Sequence, residues 1–212
     1  MSRIAVVVFP GSNCELDVQW ALRAIGAEAE MVWHRETDLS GFDGVVLPGG
    51  FAHGDYLRTG AIARFSPVMS AVTAMAEAGR PVVGICNGFQ ILCEAHLLPG
   101  ALIANRDLRF ICRPVEVEIV DTATVLTASV EPGAVLTLPL NSYEGQHTDP
   151  SDPPRVAARY VEGVNGSQDR AAAIANEAGN VVGIMPHPER SSEDVLGSSD
   201  GRLLLESLVA AT

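Results

Sequence analysis

The chain contains no lysine, and all 14 of its basic residues are arginine. This fits the coding bias of an arginine-favouring genome, and the chemical consequence holds whatever the origin. A P-loop needs its lysine, and Schiff-base or lysine-nucleophile chemistry needs an amine, so both are excluded. A basic excess is missing as well. With 26 acidic residues the formal net charge is −12, and the pI is near 4.7. That disfavours nucleic acid as a partner, because neutralising phosphates takes a basic face. Cysteine is sparse: Cys14, Cys86, Cys93 and Cys112 show no C-x-x-C spacing. Neither a disulfide scaffold nor a structural zinc site is expected. Long apolar runs are also absent. The clean run at 4–9 stops at Pro10-Gly11, too short for a signal segment or a membrane span. The expectation is a soluble, cytoplasmic protein.

What is present suits a large core. Hydrophobic residues make up 47% of 212 positions, with mean hydropathy +0.20, and a chain of this length reads as one domain over 1–212. Short β-branched runs alternate with helical patterns, the signature of an α/β sheet covered on both faces. Strands are expected at 4–9, 31–33, 44–47 and 81–85. Helices are expected at 15–25, ended by Gly26, and at 87–95. A mostly helical stretch is expected over 57–78, interrupted near Ser66-Pro67. After residue 95 the pattern changes. Val115, Val117 and Ile119 alternate with Glu116 and Glu118, the period of a strand with one wet face. Further strands at 135–140, 156–161, 171–175 and 181–184 make the later chain richer in antiparallel pairs. The turn-rich stretch 147–154 reads as a mobile surface loop, and 200–210 as a closing helix.

The most informative segment is Gly84-Ile85-Cys86-Asn87-Gly88, where a hydrophobic strand runs straight into a helix. This is the cysteine counterpart of the G-x-S-x-G nucleophile elbow. A tight, strained turn projects the nucleophile, and flanking residues without Cβ let strand and helix pack closely. The helix N-terminus favours a thiolate and supplies N–H groups for an oxyanion. Taken alone, the turn also fits a buried cysteine between packing glycines. Cys93 and Cys112 lack such a turn and read as core; Cys14, in a loop before a helix, is a weaker alternative nucleophile.

A thiol nucleophile needs a base, usually histidine. Of His34, His53, His96, His147 and His187, the last stands out in Met185-Pro186-His187-Pro188-Glu189. In an extended segment Glu189 points to the same side as His187 and can fix its tautomer, as the acid of a triad does. By itself His-Pro-Glu also suits a surface turn. His53, near Gly49-Gly50, is either a second catalytic histidine or a loop residue at the site mouth. With Asp55 alone beside it, it is too little for a metal site, and none is expected. Pro48-Gly49-Gly50 follows a strand and either lets backbone N–H groups approach a ligand or forms an ordinary turn.

Together these segments resemble the class I, triad-type glutamine amidotransferases, above all their purine-biosynthetic glutaminase subunits. The resemblance is carried by Phe9-Pro10-Gly11-Ser12-Asn13-Cys14, the run from Pro48 to Arg58, the stretch 60–63, Gly84 to Gln90, Asn105 to Cys112, Val164-Asn165-Gly166-Ser167 and Met185 to Glu189. It implies a flavodoxin-like, mostly parallel sheet flanked by helices. It also implies Cys86 as nucleophile, His187 as base and Glu189 as orienting acid. Oxyanion and substrate contacts would fall on Gly49, Gly50, Asn87 and Gln90. No cofactor would be needed in this chain. Ammonia from L-glutamine would pass through a tunnel to a large synthetase subunit using ATP and Mg, with a small accessory subunit assisting assembly. One departure is visible: Asn141-Ser142-Tyr143-Glu144-Gly145 carries Tyr143 where the family usually has glycine. The competing readings are a stand-alone cysteine hydrolase of γ-glutamyl amides and a non-catalytic binding protein on the same fold.

Overall fold

Runs such as Ile4-Ala5-Val6-Val7, with no exposed position among them, can exist only inside a sheet covered on both faces. In the computed structural model, which describes residues 1–150 and 153–212, they do so. The strands, numbered in chain order, are β1 (Arg3–Val8), β2 (Glu28–Trp33), β3 (Gly44–Leu47), β4 (Val82–Ile85), β5 (Ala101–Ile103) and β6 (Ile111–Ile119), followed by β7 (Val135–Ser142), β8 (Gln146–Thr148), β9 (Arg155–Tyr160), β10 (Ala171–Ala175) and β11 (Val181–Ile184). The helices are α1 (Glu15–Ala24), α2 (Val68–Glu77), α3 (Asn87–Glu94) and α4 (Asp200–Ala210).

A nine-stranded sheet has the order β2-β1-β3-β4-β11-β10-β9-β6-β7, beside a two-stranded β5-β8 pair. From β2 to β11 every pairing is parallel; from β11 to β7 every pairing is antiparallel. This is the expected α/β, flavodoxin-like arrangement with an antiparallel extension. Helices α1, α2 and α4 each bury one face, whereas α3 is buried all round from Asn87 to Cys93. On α1, Val18, Ala21 and Leu22 point inward, the spacing of an apolar stripe. Gly26, at φ +90°, ends it.

Three expectations need correction. The stretch 57–78 is helical only in a short 3₁₀ turn at Ala63–Phe65 and in α2. Gly60, at φ +77°, presses on the α3 backbone, where a Cβ would lie 2.9 Å from Ile91 N, so packing forces a turn there. Cys112 is exposed rather than core, since it lies on the wet part of β6 and donates to Asn141 Oδ1 at 2.9 Å. The expected surface loop at 147–154 begins instead within β8, with His147 fully buried and stacked on Phe89 at 5.9 Å. Residues 151 and 152 of that expectation lie outside the described residues.

Arg155 joins the antiparallel half together. Its guanidinium pairs with Asp121 at 2.7 Å and donates to the carbonyls of Ala123 and Glu177 at 3.0 and 2.7 Å. Arg155→Ala is expected to lower unfolding stability by about 1–3 kcal/mol, the range for hydrogen bonds to charged groups. The check is a drop in denaturant midpoint with an unchanged slope.

Candidate active site

Three strand ends of the parallel half, those of β3, β4 and β11, converge at their C-terminal side, where ligands bind in open α/β sheets. Each contributes one part of the site. β4 runs into α3 through Cys86, which sits at φ 51°, ψ −104°, a conformation costly for a residue with a side chain. The elbow is held by close packing. A Cβ on Gly84 would lie 2.6 Å from the Gly88 backbone, and one on Gly88 would collide with the carbonyl oxygen of Leu47 at the end of β3. On β11, a Cβ at Gly183 would enter the Phe89 ring. The strained turn therefore persists because its surroundings leave room for nothing else.

β11 is followed by Met185-Pro186-His187. His187 Nδ1 lies 2.6 Å from Glu189 Oε1, with both side chains buried, and its backbone N–H donates to Pro139 O at 2.8 Å. Pro188–Ser191 forms a 3₁₀ turn on which α4 rests. A Cβ on Gly201 of α4 would collide with the Pro188 carbonyl oxygen, and Ser192 Oγ donates to Glu189 O at 3.0 Å. Burial alone would lower the basicity of His187. The Glu189 carboxylate, then the Cys86 sulfur, outweigh it and hold the imidazole well above the usual histidine range. The charge distribution suits an imidazolium at His187.

Gly49 and Gly50 follow β3. A Cβ on Gly49 would lie 2.7 Å from His187 Cε1, 3.0 Å from Cys14 Sγ and 3.4 Å from Cys86 Cβ. Its missing side chain is what lets the thiol and the imidazole approach. Gly50, at φ +147°, bridges to Ser12, and Phe51 N donates to Gly11 O at 2.9 Å, so the 10–13 and 49–53 loops are laced together. Asn87 is the first residue of α3, a position whose N–H has no partner within the helix. Its side chain ties the loop to the elbow, with Oδ1 accepting from Ala52 N at 3.0 Å.

Gln90 is buried and lines the same cavity. Its oxygen accepts from Asn87 Nδ2 at 2.9 Å, and its nitrogen donates to the Glu144 carbonyl at 2.6 Å. Asn105 grips that turn from the other side, donating through Nδ2 to Ser142 O at 2.8 Å and accepting from Gly145 N at 3.1 Å. Asn165 Nδ2 donates to Gly145 O at 2.6 Å. Two motif segments with no evident chemistry in sequence, around Asn105 and Asn165, thus hold the 142–145 turn against the nucleophile.

The cavity, about 460 Å³, is lined by Cys86, His187, Gly50 and Gln90 together with Cys14, Asp55, Thr59, Tyr143, Glu144 and Arg190. Sequence reasoning missed the roles of Asp55, Glu144 and Arg190. The only signal for Arg190 was its place directly after Glu189. Its guanidinium donates to Cys14 Sγ at 3.2 Å and to Asp17 Oδ2 at 3.0 Å, which makes Cys14 part of the cavity wall. His53 points away from this cavity and packs edge-on against His34 at 5.4 Å. His34 in turn meets Ser66 Oγ at 3.0 Å. His96 is exposed, and Cys93 is buried, its thiol pushed up by burial.

The chain is similar to known proteins over nearly its whole length. Residues 1–201 match the model of the CobB/CobQ-like glutamine amidotransferase domain. Phosphoribosylformylglycinamidine synthase subunit PurQ of Rubrobacter xylanophilus is 52% identical over 215 residues, covering 98% of each chain. The same subunit of Lacticaseibacillus paracasei is 51% identical over 220 residues, covering 99% of this chain and 96% of that one. The solved structure of PurLQS from Thermotoga maritima superposes with a TM-score of 0.95 at 41% identity, over 99% of this chain and 98% of that chain.

The elbow packing generates a direct test. Gly88→Ala forces either β3 or α3 to move, and is expected to cost at least about 3 kcal/mol, the upper range for overpacking. The measurement is thermal or denaturant unfolding, with glutamine turnover recorded alongside.

Proposed function

The chain belongs to the CobB/CobQ-like glutamine amidotransferase family, and from that premise we propose how its cavity releases ammonia from glutamine. Its function is that of the glutaminase subunit of phosphoribosylformylglycinamidine synthase in purine biosynthesis. It works in complex with a large synthetase subunit and a small accessory subunit. The whole of 1–212 is read as a single amidotransferase domain, supported by α4 resting on the turn that follows His187.

The observation that carries the mechanism is the buried His187–Glu189 pair, 2.6 Å apart, whose His187 lines the same cavity as Cys86. Glu189 holds Nδ1, which leaves the opposite ring nitrogen for the thiol. The Cys86 thiolate attacks the side-chain amide carbon of glutamine. Charge gathers on the amide oxygen, and backbone N–H groups of Gly50 and Asn87 are assigned to it, supported by their positions on either side of the elbow. The imidazolium then gives its proton to the departing nitrogen, the C–N bond breaks and ammonia leaves. A glutamyl thioester remains. Water, deprotonated by the now neutral His187, attacks it, and the collapse returns the thiol and glutamate.

Ammonia passes to the partner synthetase, which uses ATP and Mg to activate its own substrate. No cofactor in this chain is required by the steps above. A cytoplasmic location belongs to the same reading. Among the described residues no helix is long and apolar enough to cross a membrane.

Two outcomes test this function. Cys86→Ala in the assembled complex is expected to abolish both glutamate release and glutamine-dependent amidation while amidation from added ammonium salt persists. Retained glutamine turnover in that variant overturns the assignment. Glu189→Gln keeps the shape but removes the charge that holds His187 protonated, and turnover is expected to fall by about a hundredfold or more, in the range lost when a positioned acid–base group is impaired. Steady-state glutamate release measures it.

A further inference from the structure

We propose that Asp55 and Glu144 form the subsite that recognises the α-ammonium group of the substrate, making the site selective for an α-amino acid amide over a simple amide. This deepens the glutaminase reading and rests on it. Both carboxylates line the cavity that holds Cys86 and His187, yet they arrive from separate elements, Asp55 from the loop after β3 and Glu144 from the turn after β7. The thiol sits in the buried part of that cavity, with Cys86 8% exposed, whereas both acids are only partly buried. A glutamine whose side-chain amide lies at Cys86 therefore directs its α-carbon toward the two acids.

The charges around them leave a place for a cation. Among the described residues, no ion pair involves Asp55 or Glu144. Arg190, the arginine lining the cavity, is engaged with Asp17 and Cys14, and Arg58 is held by both oxygens of Glu94 at 2.6 Å. Among the described residues the donors the acids meet are neutral: Asn87 Nδ2 reaches Asp55 Oδ1 at 3.4 Å, and Thr59 Oγ1 donates to Glu144 Oε2 at 2.8 Å. Burial first, then the field of Glu144, pushes the Asp55 carboxyl up to about 6. An ammonium group with three donors between the two carboxylates relieves that repulsion.

A second feature of the cavity points to a polar ligand. Ser142 lines it and is 4% exposed, and its hydroxyl has no hydrogen-bond partner among the described residues. A buried hydroxyl left unsatisfied is costly, and a substrate with a polar α-carbon end supplies its partner. Both acids are also rigidly presented. Asp55 closes a run of left-handed residues, His53, Gly54 and Asp55 at φ 55°, 72° and 54°, anchored by the Ala52–Asn87 bond. Glu144 is fixed through its carbonyl by Gln90.

The test compares two amides in the complex assembled from this chain, the synthetase and the small subunit. One is L-glutamine; the other is 4-carbamoylbutanoate, the same molecule without its α-amino group. Asp55→Asn and Glu144→Gln are each expected to raise KM for glutamine by about tenfold or more, the worth of a hydrogen bond to a charged group, with a smaller change in kcat. The loss of kcat/KM on the deamino amide is expected to be at least about tenfold smaller, because the interaction removed is one that this amide never makes. Equal losses on both amides, or an unchanged KM for glutamine, overturn the proposal. Amidation from added ammonium salt reports that each variant has assembled. If Asp55→Asn fails to assemble, the near-isosteric Glu144→Gln decides by the same ratio. Absence of glutamine hydrolysis by the wild-type complex would instead remove the glutaminase reading itself.

Discussion

The site depends on one steric constraint, the contact between the α3 backbone at Gly88 and the carbonyl of Leu47 on β3. At that distance no side chain fits, so α3 lies directly on the strand ends and Cys86 is forced into a left-handed turn at φ 51°. The turn lifts the sulfur off the sheet and turns it to the cavity. Gly49 applies the same logic one layer up, since the space its Cβ would fill is taken by His187, Cys14 and Cys86. Strain at a single residue is tolerable when neighbours exclude the relaxed alternatives, and at Gly84 and Gly88 they do so with backbone atoms, which cannot yield.

The second layer of the site is held by amide groups. The turn at 142–145 is gripped almost wholly through main-chain atoms: the carbonyls of Ser142, Tyr143, Glu144 and Gly145 accept from Asn105 Nδ2, Asn105 N, Gln90 Nε2 and Asn165 Nδ2. Position 143 is therefore free in its side chain. This explains how a tyrosine is accommodated at position 143. Its side chain is 43% exposed, and the turn beneath it keeps its place because the hydrogen bond that position 143 makes to Asn105 N runs through its main-chain carbonyl.

The division of chemical labour is consistent with these local facts. The cavity contains a thiol, a raised imidazole and carboxylates, which suffice for hydrolysis of an amide. The chain lacks lysine altogether, and its arginines near the site are tied to acids or to Cys14. Amide hydrolysis is the task for which this cavity is equipped.

Much of the fold could be read along the chain. Buried parallel strands are uniformly apolar, and α4 was expected over 200–210 because its apolar spacing and its ends are local properties. The elbow at Cys86 and the pair His187–Glu189 were visible for the same reason, being short motifs whose chemistry is carried by neighbours in sequence. The misread segments fail where distant contacts override local pattern. Gly60 pressed on α3 breaks the helix expected over 57–78, and His147 is drawn inside by Phe89 although its neighbours are turn-forming. What sequence by itself determined was the cysteine elbow, the adjacency of His187 and Glu189 and the α/β class. Only the tertiary structure decided that Asn105 and Asn165 serve as clamps, that Cys14 and Arg190 belong to the cavity wall and that Asp55 and Glu144 share a cavity. Those relations join residues far apart in the chain, and space, unlike local propensity, leaves no periodic trace in the order of amino acids.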